Sequence, residues 1–377
     1  MHKTVILQAA ECTTADELEH ALAPAIVDLK ESRPVAIPTE TVYGLAANAL
    51  DFDACQRIYS VKKRPSDNPL IAHISSLEML RMLVRPKDDA QPNANVLDAL
   101  CIPQKLKPVL CKFWPGPLTV LLPKKEGVPD VVTAGLDTVA VRFPSHPIAR
   151  KIIELCGFPL AAPSANLSGR PSPTTAAHVL EDLEGRINYI VDGGSSGFGL
   201  ESTVLDATRH PPIILRPGSI TARMLHELLP DVRVFNKNSD NLTAEETKQM
   251  EDRPATPGMK YRHYSPTSPL LLFHGTDEAK LDEAISKFIK QELNSDHRIA
   301  RLTIRSQSAI TDDCYFEFPL STTGDREEIA RNLFSALRAA DSVNPTLIVA
   351  QSIEENDEGL AIMNRLSKAA SATRHIQ

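Results

Sequence analysis

Aromatic residues make up only 5% of the 377-residue sequence, with a single Trp, and no excess of positive charge accompanies them. Lys and Arg number 41 against 48 Asp and Glu, a formal charge of −7. The chain therefore lacks both a general cationic footprint and a supply of stacking platforms for nucleic acid. None of the six cysteines (Cys12, Cys55, Cys101, Cys111, Cys156, Cys314) forms a C-x-x-C pair. That speaks against structural zinc and for reduced thiols in an intracellular protein. The apolar run near the start is soon ended by Glu11, too short for a membrane span. No secretory pattern is present, and the acidic residues of that stretch argue against a transit peptide. A cytoplasmic location is expected, and a mitochondrial form from an alternative start is compatible with it. There is no G-x-x-x-x-G-K-[ST] loop, no G-x-G-x-x-G, no H-E-x-x-H and no EF-hand loop. Zinc, flavin and NAD are not expected.

Proline, by contrast, is abundant, with 29 Pro against 16 Gly. The length fits two domains, and the ordinary apolar content can fill a core in each. Up to about residue 235, short apolar runs bounded by turn residues alternate with amphipathic ones. Val35–Ile37, Leu70–Ile74, Leu118–Leu122, Thr138–Val141, Leu160–Ala162, Tyr189–Val191 and Ile213–Leu215 read as strands. Ala15–Lys30, with Thr14 as N-cap, leads a set of helices that includes Pro147–Cys156 and Thr175–Leu183. This makes residues 12–235 an α/β domain. Residues 236–268 read as a polar linker, ending in the dense cluster Tyr261, His263, Tyr264. Residues 269–377 alternate again: strands at Leu270–Phe273, Ile299–Ile304, Tyr315–Phe318 and Thr346–Ala350 are separated by helices. They form a small doubly wound domain. From residue 266 onward, 12 basic and 17 acidic residues give a net of −5, making this the less suitable half for RNA.

Several motifs have both an ordinary and a functional reading. Gly193-Gly-Ser-Ser-Gly197 matches G-x-S-x-G, but Phe198-Gly-Leu-Glu-Ser-Thr-Val leads toward a strand, whereas a nucleophile elbow needs a helix. A glycine-rich turn is expected there. Pro38-Thr-Glu-Thr-Val-Tyr-Gly-Leu45 puts hydroxyls and a carboxylate at a strand's end, which suits either a turn or a ligand-facing loop. Lys62-Lys-Arg-Pro-Ser-Asp-Asn-Pro-Leu70 ends a helix with three cations, favourable to the helix dipole. The stiff Pro65 and Pro69 and the amide of Asn68 suit a triphosphate as well, with Arg64 able to engage two oxygens. His73, in an apolar run, is either a satisfied core residue or a ligand. Pro163-Ser-Ala-Asn-Leu-Ser-Gly169 precedes Thr174-Thr175 at a helix start, an anion cradle or plain capping. Arg142 and Arg216 each end a strand, a frequent ligand-facing place in α/β domains.

In combination these motifs are more specific. Pro38–Leu45, Lys62-x-Arg64, Pro115-Gly-Pro-Leu-Thr119, Ser164-x-Asn166, Glu201-Ser-Thr-Val204 and Arg216-Pro-Gly218 stand in one order and spacing. The sequence resembles the threonylcarbamoyl-adenylate synthases, in the long form that adds a C-terminal domain to a YrdC-like catalytic one. The likeness is strong over about residues 12–232, and Gly258-Met-Lys-Tyr-Arg-His-Tyr264 is similar to the linker motif of the long form. The sequence departs from the pattern at Arg85–Lys107, which looks inserted, and at Thr256, where serine is more usual.

The resemblance implies a YrdC-like twisted mixed sheet with helices around a central cleft, followed by a Rossmann-like domain. It also implies synthesis of threonylcarbamoyl-adenylate from L-threonine, bicarbonate and ATP, with Mg²⁺ carried mainly by the ATP phosphates. A tRNA threonylcarbamoyltransferase would receive the product, with at most a weak tRNA contact and no membrane role. Arg142 is the candidate partner of the threonine carboxylate, and by resemblance Thr41, His73, Ser202 and Thr203 complete that pocket. ATP would meet Lys62, Arg64, Asn68, Thr119, Ser164, Asn166, Thr174 and Arg216, with Lys62 and Arg64 as the catalytic cations. Tyr261, His263 and Tyr264 would either close over the nucleotide as a lid or serve only as packing. The competing class is an RNA-binding module without catalysis, disfavoured by charge and aromatic content.

Overall fold

The computed structural model describes residues 3–91, 93–235, 263–293, 297–305 and 313–376. The chain divides into two compact units. The first comprises Met1–Ser168, Pro173–Gly197 and Glu201–Lys260, and the second Gly169–Ser172, Phe198–Leu200 and Tyr261–Gln377. Among the described residues no helix is long and apolar enough to cross a membrane.

The first unit is built on strands β1 (Val5–Gln8), β2 (Val35–Ile37), β3 (Gly44–Asn48), β4 (Ile71–His73), β5 (Leu118–Pro123), β6 (Thr138–Arg142), β7 (Leu160–Ala161), β8 (Tyr189–Asp192), β9 (Thr203–Asp206), β10 (Ile213–Arg216) and β11 (Arg233–Val234). They form one mixed sheet in the order β1-β8-β2-β3-β7-β4-β6-β5-β9-β10-β11. The expected strands are all present within a residue or two. The expectations did not include β1, β3 or β11. β3 reads GLAAN, whose small residues look like a continuation of the motif loop, yet it pairs antiparallel with β2 and β7.

Helix α1 (Ala15–Lys30) begins with a complete capping box: the Thr14 side chain accepts from the Glu17 backbone and the Glu17 side chain accepts in return. Such a cap contributes about 1 kcal/mol. The helix buries Leu22, Ile26 and Leu29 against Val35, Ile37 and Leu160, alongside Ile152 and Ile153 of the helix Pro147–Cys156. Residues one position along the same strands supply the other core. Ala36, Leu45, Ala72, Val120, Val141 and Leu205 join Ile58, Leu110 and Val179 from other helices. Alternation along each strand thus covers both faces. Each fully buried Leu or Ile here is worth ~1.5–3 kcal/mol. Farther along the first face, Ile71, Leu121, Ala140, Val204, Ile213 and Leu215 make a small apolar patch. His73, Arg142 and Thr119 lie in register beside it.

The second unit has five strands: β12 (Leu270–His274), β13 (Ile299–Thr303), β14 (Tyr315–Pro319), β15 (Leu347–Gln351) and β16 (Ala372–His375). All neighbours are parallel, in the order β14-β13-β15-β12-β16. Helix α2 (Glu278–Glu292) packs Leu281, Ile285 and Ile289 on Phe273, Ile299 and Val349. Helices α3 (Arg326–Ser342) and α4 (Asp357–Ala369) pack against one another. This is the doubly wound architecture expected from the alternation, with β16 added at an edge. All four residues of β16 are exposed, so no apolar alternation marks it in the sequence.

Candidate active site

Five neighbouring strands of the first unit bring one row of residues into register. His73 pairs with Arg142, Arg142 with Thr119, Thr119 with Val204 and Val204 with Arg216. Residues paired in this way share a face. Four polar side chains thus stand along the edge of the apolar patch, each buried. Arg142 and Arg216 occupy the last positions of β6 and β10, as the sequence indicated.

Arg142 is the centre of the first cluster. Its Nη1 donates to the Thr41 hydroxyl at 2.7 Å, and Nη2 stands 2.7 Å from Oε1 of Glu40, both partners being nearly fully buried. The ion pair is electrostatic rather than a well-aligned hydrogen bond, since Nε and Nη2 of Arg142 and both Glu40 oxygens lack a hydrogen-bond partner. A buried guanidinium with donors to spare is suited to a planar carboxylate. Despite the cost of burial, Arg142 holds the Glu40 carboxyl below its usual range. Thr39 fixes the loop by accepting from the backbone N–H groups of Thr41 and Val42 and donating to the Val42 carbonyl. His73 places Nδ1 3.0 Å from the Ile71 carbonyl oxygen. Burial, with Arg142 nearby, pushes its pKa down to about 3, so the ring is neutral. Nδ1 then carries the hydrogen, and Nε2 is the remaining acceptor.

The second cluster adjoins it through β5. The Thr119 and Ser202 hydroxyls are 2.7 Å apart, and Arg216 grips Ser202 twice, Nε to its carbonyl at 3.1 Å and Nη2 to its hydroxyl at 3.2 Å. Gly218 makes this approach feasible: a Cβ there would lie 2.5 Å from the Thr203 nitrogen and 2.6 Å from the Glu201 oxygen. Thr203 is turned differently from its neighbour. Its hydroxyl donates to the Ile220 carbonyl at 2.7 Å and accepts from the Ile220 N–H at 3.1 Å, a backbone clamp.

The third cluster gathers the cations after the helix Phe52–Lys62. The three consecutive cations differ: Lys62 is buried, Lys63 is exposed in a left-handed C-cap, and Arg64 is half-buried. Lys62 Nζ donates to the carbonyls of Ser164 and Asn166 and lies 3.5 Å from the Asn166 side-chain oxygen. That loop is in turn zipped along the motif segment, with Leu45 N–H to Pro163 and Ala165 N–H to Tyr43. Arg64 Nη2 reaches the Pro69 carbonyl at 3.3 Å, and Asn68 is buried with its side-chain oxygen unpartnered. The helix that follows is capped by Thr175, whose side chain accepts from His178 N–H. The Thr174 hydroxyl instead lies 3.3 Å from the His178 ring.

Two residues outside the expected set belong to the first cluster. Glu40 was visible only as part of its motif loop. His146, just before the helix Pro147–Cys156, was not singled out, although it follows Arg142 closely in sequence. Its Nδ1 is buried without a hydrogen-bond partner, and burial lowers its pKa against the opposing pull of Glu40. The Gly193–Gly197 stretch is a turn with no helix after it, anchored by the Tyr43 hydroxyl. That hydroxyl donates to Gly194 O at 2.7 Å and accepts from Gly193 N at 3.1 Å. The nucleophile-elbow reading is thereby removed.

Of the three expected lid residues, Tyr261 lies outside the described residues. Tyr264 is buried within the second unit, at φ 65°, its ring 5.2 Å from that of Phe334 and 5.9 Å from the Arg365 guanidinium. The His263 ring leans on it at 5.7 Å.

Known proteins match this chain over most of its length. Residues 28–218 match a family model described as telomere recombination, and residues 220–371 match the threonylcarbamoyl-AMP synthase C-terminal domain. The chain is 45% identical to the threonylcarbamoyl-AMP synthase of Pyrococcus abyssi over 350 residues, covering 91% of this chain and 92% of the relative. It is 42% identical to that of Bacillus subtilis, covering 93% and 92%. Among solved structures, P. abyssi Sua5 complexed with L-threonine superposes with a TM-score of 0.83 at 41% identity, over 99% of this chain and 100% of that one. The chain belongs to the threonylcarbamoyl-AMP synthase family.

Proposed function

We propose that this chain joins L-threonine, bicarbonate and ATP into L-threonylcarbamoyl-adenylate, releasing pyrophosphate, and so acts as a nucleotidyltransferase. The observation that carries the reading is the buried Arg142, whose donors exceed the partners around it. A relative matched over its whole chain, P. abyssi Sua5, has been solved complexed with L-threonine. In this reading the threonine carboxylate meets Arg142, with Thr41, neutral His73 and Ser202 as hydrogen-bonding neighbours for the rest of the amino acid. Thr203 supports the pocket through the backbone, its hydroxyl being engaged by Ile220. ATP runs along Lys62, Arg64, Asn68, Thr119, Ser164, Asn166, Thr174 and Arg216.

The chemistry then proceeds in two steps. The deprotonated amine of threonine attacks the carbon of bicarbonate and water leaves, giving a carbamate. A carbamate oxygen attacks the α-phosphorus in line and pyrophosphate departs. Nothing in this requires a covalent nucleophile; positioning and charge neutralisation supply the rate. The Lys62 ammonium, already fixed by two carbonyls, and the Arg64 guanidinium oppose the charge gathering on the leaving group. Among the described residues no group of three or more His, Cys, Asp or Glu could hold a metal ion. Mg²⁺ would enter on the ATP phosphates and would neutralise their charge there. The labile adenylate would pass to a tRNA threonylcarbamoyltransferase. For Tyr261, His263 and Tyr264 the two readings, a lid that keeps water from the adenylate or packing alone, are told apart by replacing His263 and Tyr264 by Ala. A lid predicts faster hydrolysis of the adenylate; unchanged hydrolysis and turnover leave packing, in keeping with the burial of Tyr264 against Phe334.

The reading is tested by pyrophosphate release from ATP, which should require both threonine and bicarbonate. Release independent of threonine would refute it. An RNA-binding module without catalysis would instead show tRNA binding of steep salt dependence and no ATP turnover.

A further inference from the structure

The second unit contains a crevice of about 700 Å³ that the proposed reaction does not use. It lies where the winding of the sheet reverses. From β12 the chain passes through α2 over β15 to β13, and from β15 it passes through α4 over β12 to β16. Right-handed crossovers in opposite directions put α2 and α4 on opposite faces. A gap opens between the carboxyl ends of β12 and β15, the place where doubly wound sheets take ligands. Residues just past both strand ends line it, among them Gly275, Thr276, Ser352 and Glu355. Its volume falls in the range of small-molecule sites, about 300–1,000 Å³.

The lining has three chemically distinct parts. Leu281, Ile304, Ile329 and Ile353 form an apolar floor. Glu278 and Glu355 are exposed carboxylates without an ion pair among the described residues. Arg305, at the end of β13, has no hydrogen bond or ion pair among the described residues. The Nε–Nη2 edge of its guanidinium faces Gly324, where a Cβ would come within 2.4 Å of Nε and 2.5 Å of Nη2. Arg326 is committed elsewhere, 2.9 Å from the Glu354 carboxylate and bonded to the Glu354 and Asn356 carbonyls. Asp277 accepts from the Ala279 and Lys280 N–H groups of α2 and Asp325 from the Glu328 N–H of α3, and α4 opens on Asp357 and Glu358, so each helix N-terminus already carries a carboxylate. Arg305 is left as the anion partner. A pyrophosphate is poorly served, because the turn after β12, Gly275-Thr-Asp-Glu278, lacks the glycine fingerprint that brings backbone to a dinucleotide.

We propose that this crevice binds a ribonucleoside monophosphate, with the base on the apolar floor, the ribose diol on Glu278 and Glu355, and the phosphate on Arg305. The site is independent of the catalytic reading above. Its test is photolabelling of the full chain with 8-azido-AMP, peptide mapping, and equilibrium binding of AMP, 2′-deoxy-AMP and adenosine. Label is expected on second-unit peptides spanning residues 270–280 or 346–355. It should persist in an Arg64→Ala protein, which separates this site from any nucleotide bound in the first unit. Arg305→Ala should weaken AMP at this site about 10- to 100-fold and leave adenosine unchanged, since a charge-assisted contact is lost. Removing the 2′-hydroxyl should weaken binding about 10-fold, as should Glu355→Gln. Label confined to the first unit, or affinities indifferent to Arg305→Ala and to the 2′-hydroxyl, would overturn the proposal.

Discussion

The candidate active site of the first unit and the crevice of the second treat charge in opposite ways. In the first, Arg142, Lys62 and Arg216 are buried and held by neighbouring hydroxyls, carbonyls and a carboxylate before any ligand arrives. In the second, Arg305, Glu278 and Glu355 stand exposed around an apolar floor. Buried, fixed charges suit a transition state, because their desolvation and orientation are met by folding and need not be met again during reaction. Exposed charges lose more entropy and more hydration on binding, which suits reversible occupancy of modest affinity. The contrast predicts large kinetic effects from substitutions in the first unit, and effects on ligand affinity alone in the second.

Arg142→Ala should have the largest effect. With the carboxylate partner gone and Glu40 left buried without its cation, kcat/KM for threonine should fall about 10³-fold or more, with little change in ATP affinity. Steady-state kinetics in both substrates measures this, and a uniform loss for both would break the assignment of Arg142 to threonine. Next comes Arg64→Ala, expected to lower the rate about 10²- to 10³-fold. A protein retaining full rate would remove Arg64 from the phosphate site. Gly218→Ala, which drives a methyl into the Glu201–Thr203 backbone, should cost about 1–3 kcal/mol in denaturant unfolding and disturb Ser202 with it.

A separate effect is expected from pH. His73 is held neutral in the fold, its pKa about 3 against about 6.5 unfolded, so the unfolded chain binds the extra proton. Stability should fall as pH drops from about 6.5 toward 3. His73→Gln should remove that part of the acid limb while leaving the lower-pH loss from Glu40, whose carboxyl is held below its usual range. An unchanged acid limb would show that the ring titrates normally. Smallest of all, Thr203→Val should cost about 1 kcal/mol of stability and leave KM for threonine where it was, since its hydroxyl serves Ile220. A raised KM would return Thr203 to the pocket.

How much of this could be read in the sequence depends on range. The strands were visible because apolar runs such as Val35–Ile37 and Leu118–Leu122 end abruptly in turn residues. Arg142 and Arg216 were visible because a charge closes an otherwise apolar run. β3 and β16 were missed for opposite reasons, one built of small residues inside a motif and the other exposed at every position. What local pattern could not supply was partnership across the chain. Lys62 reads as a free cation at a helix end, yet its ammonium is bound by carbonyls about a hundred residues away. Ser202 and Thr203 are neighbours with equivalent hydroxyls, and only the position of Ile220 tells them apart. His146 has no periodic signal, and its link to Glu40 arises only when β6 and the loop after β2 come together.

The most direct measurement is mass spectrometry of the product formed from ATP, threonine and bicarbonate, run beside pyrophosphate release. Threonylcarbamoyl-adenylate, formed only when all three are present and lost in Arg142→Ala, is the result the account predicts. Pyrophosphate released without threonine, or a product lacking the threonyl group, would contradict it.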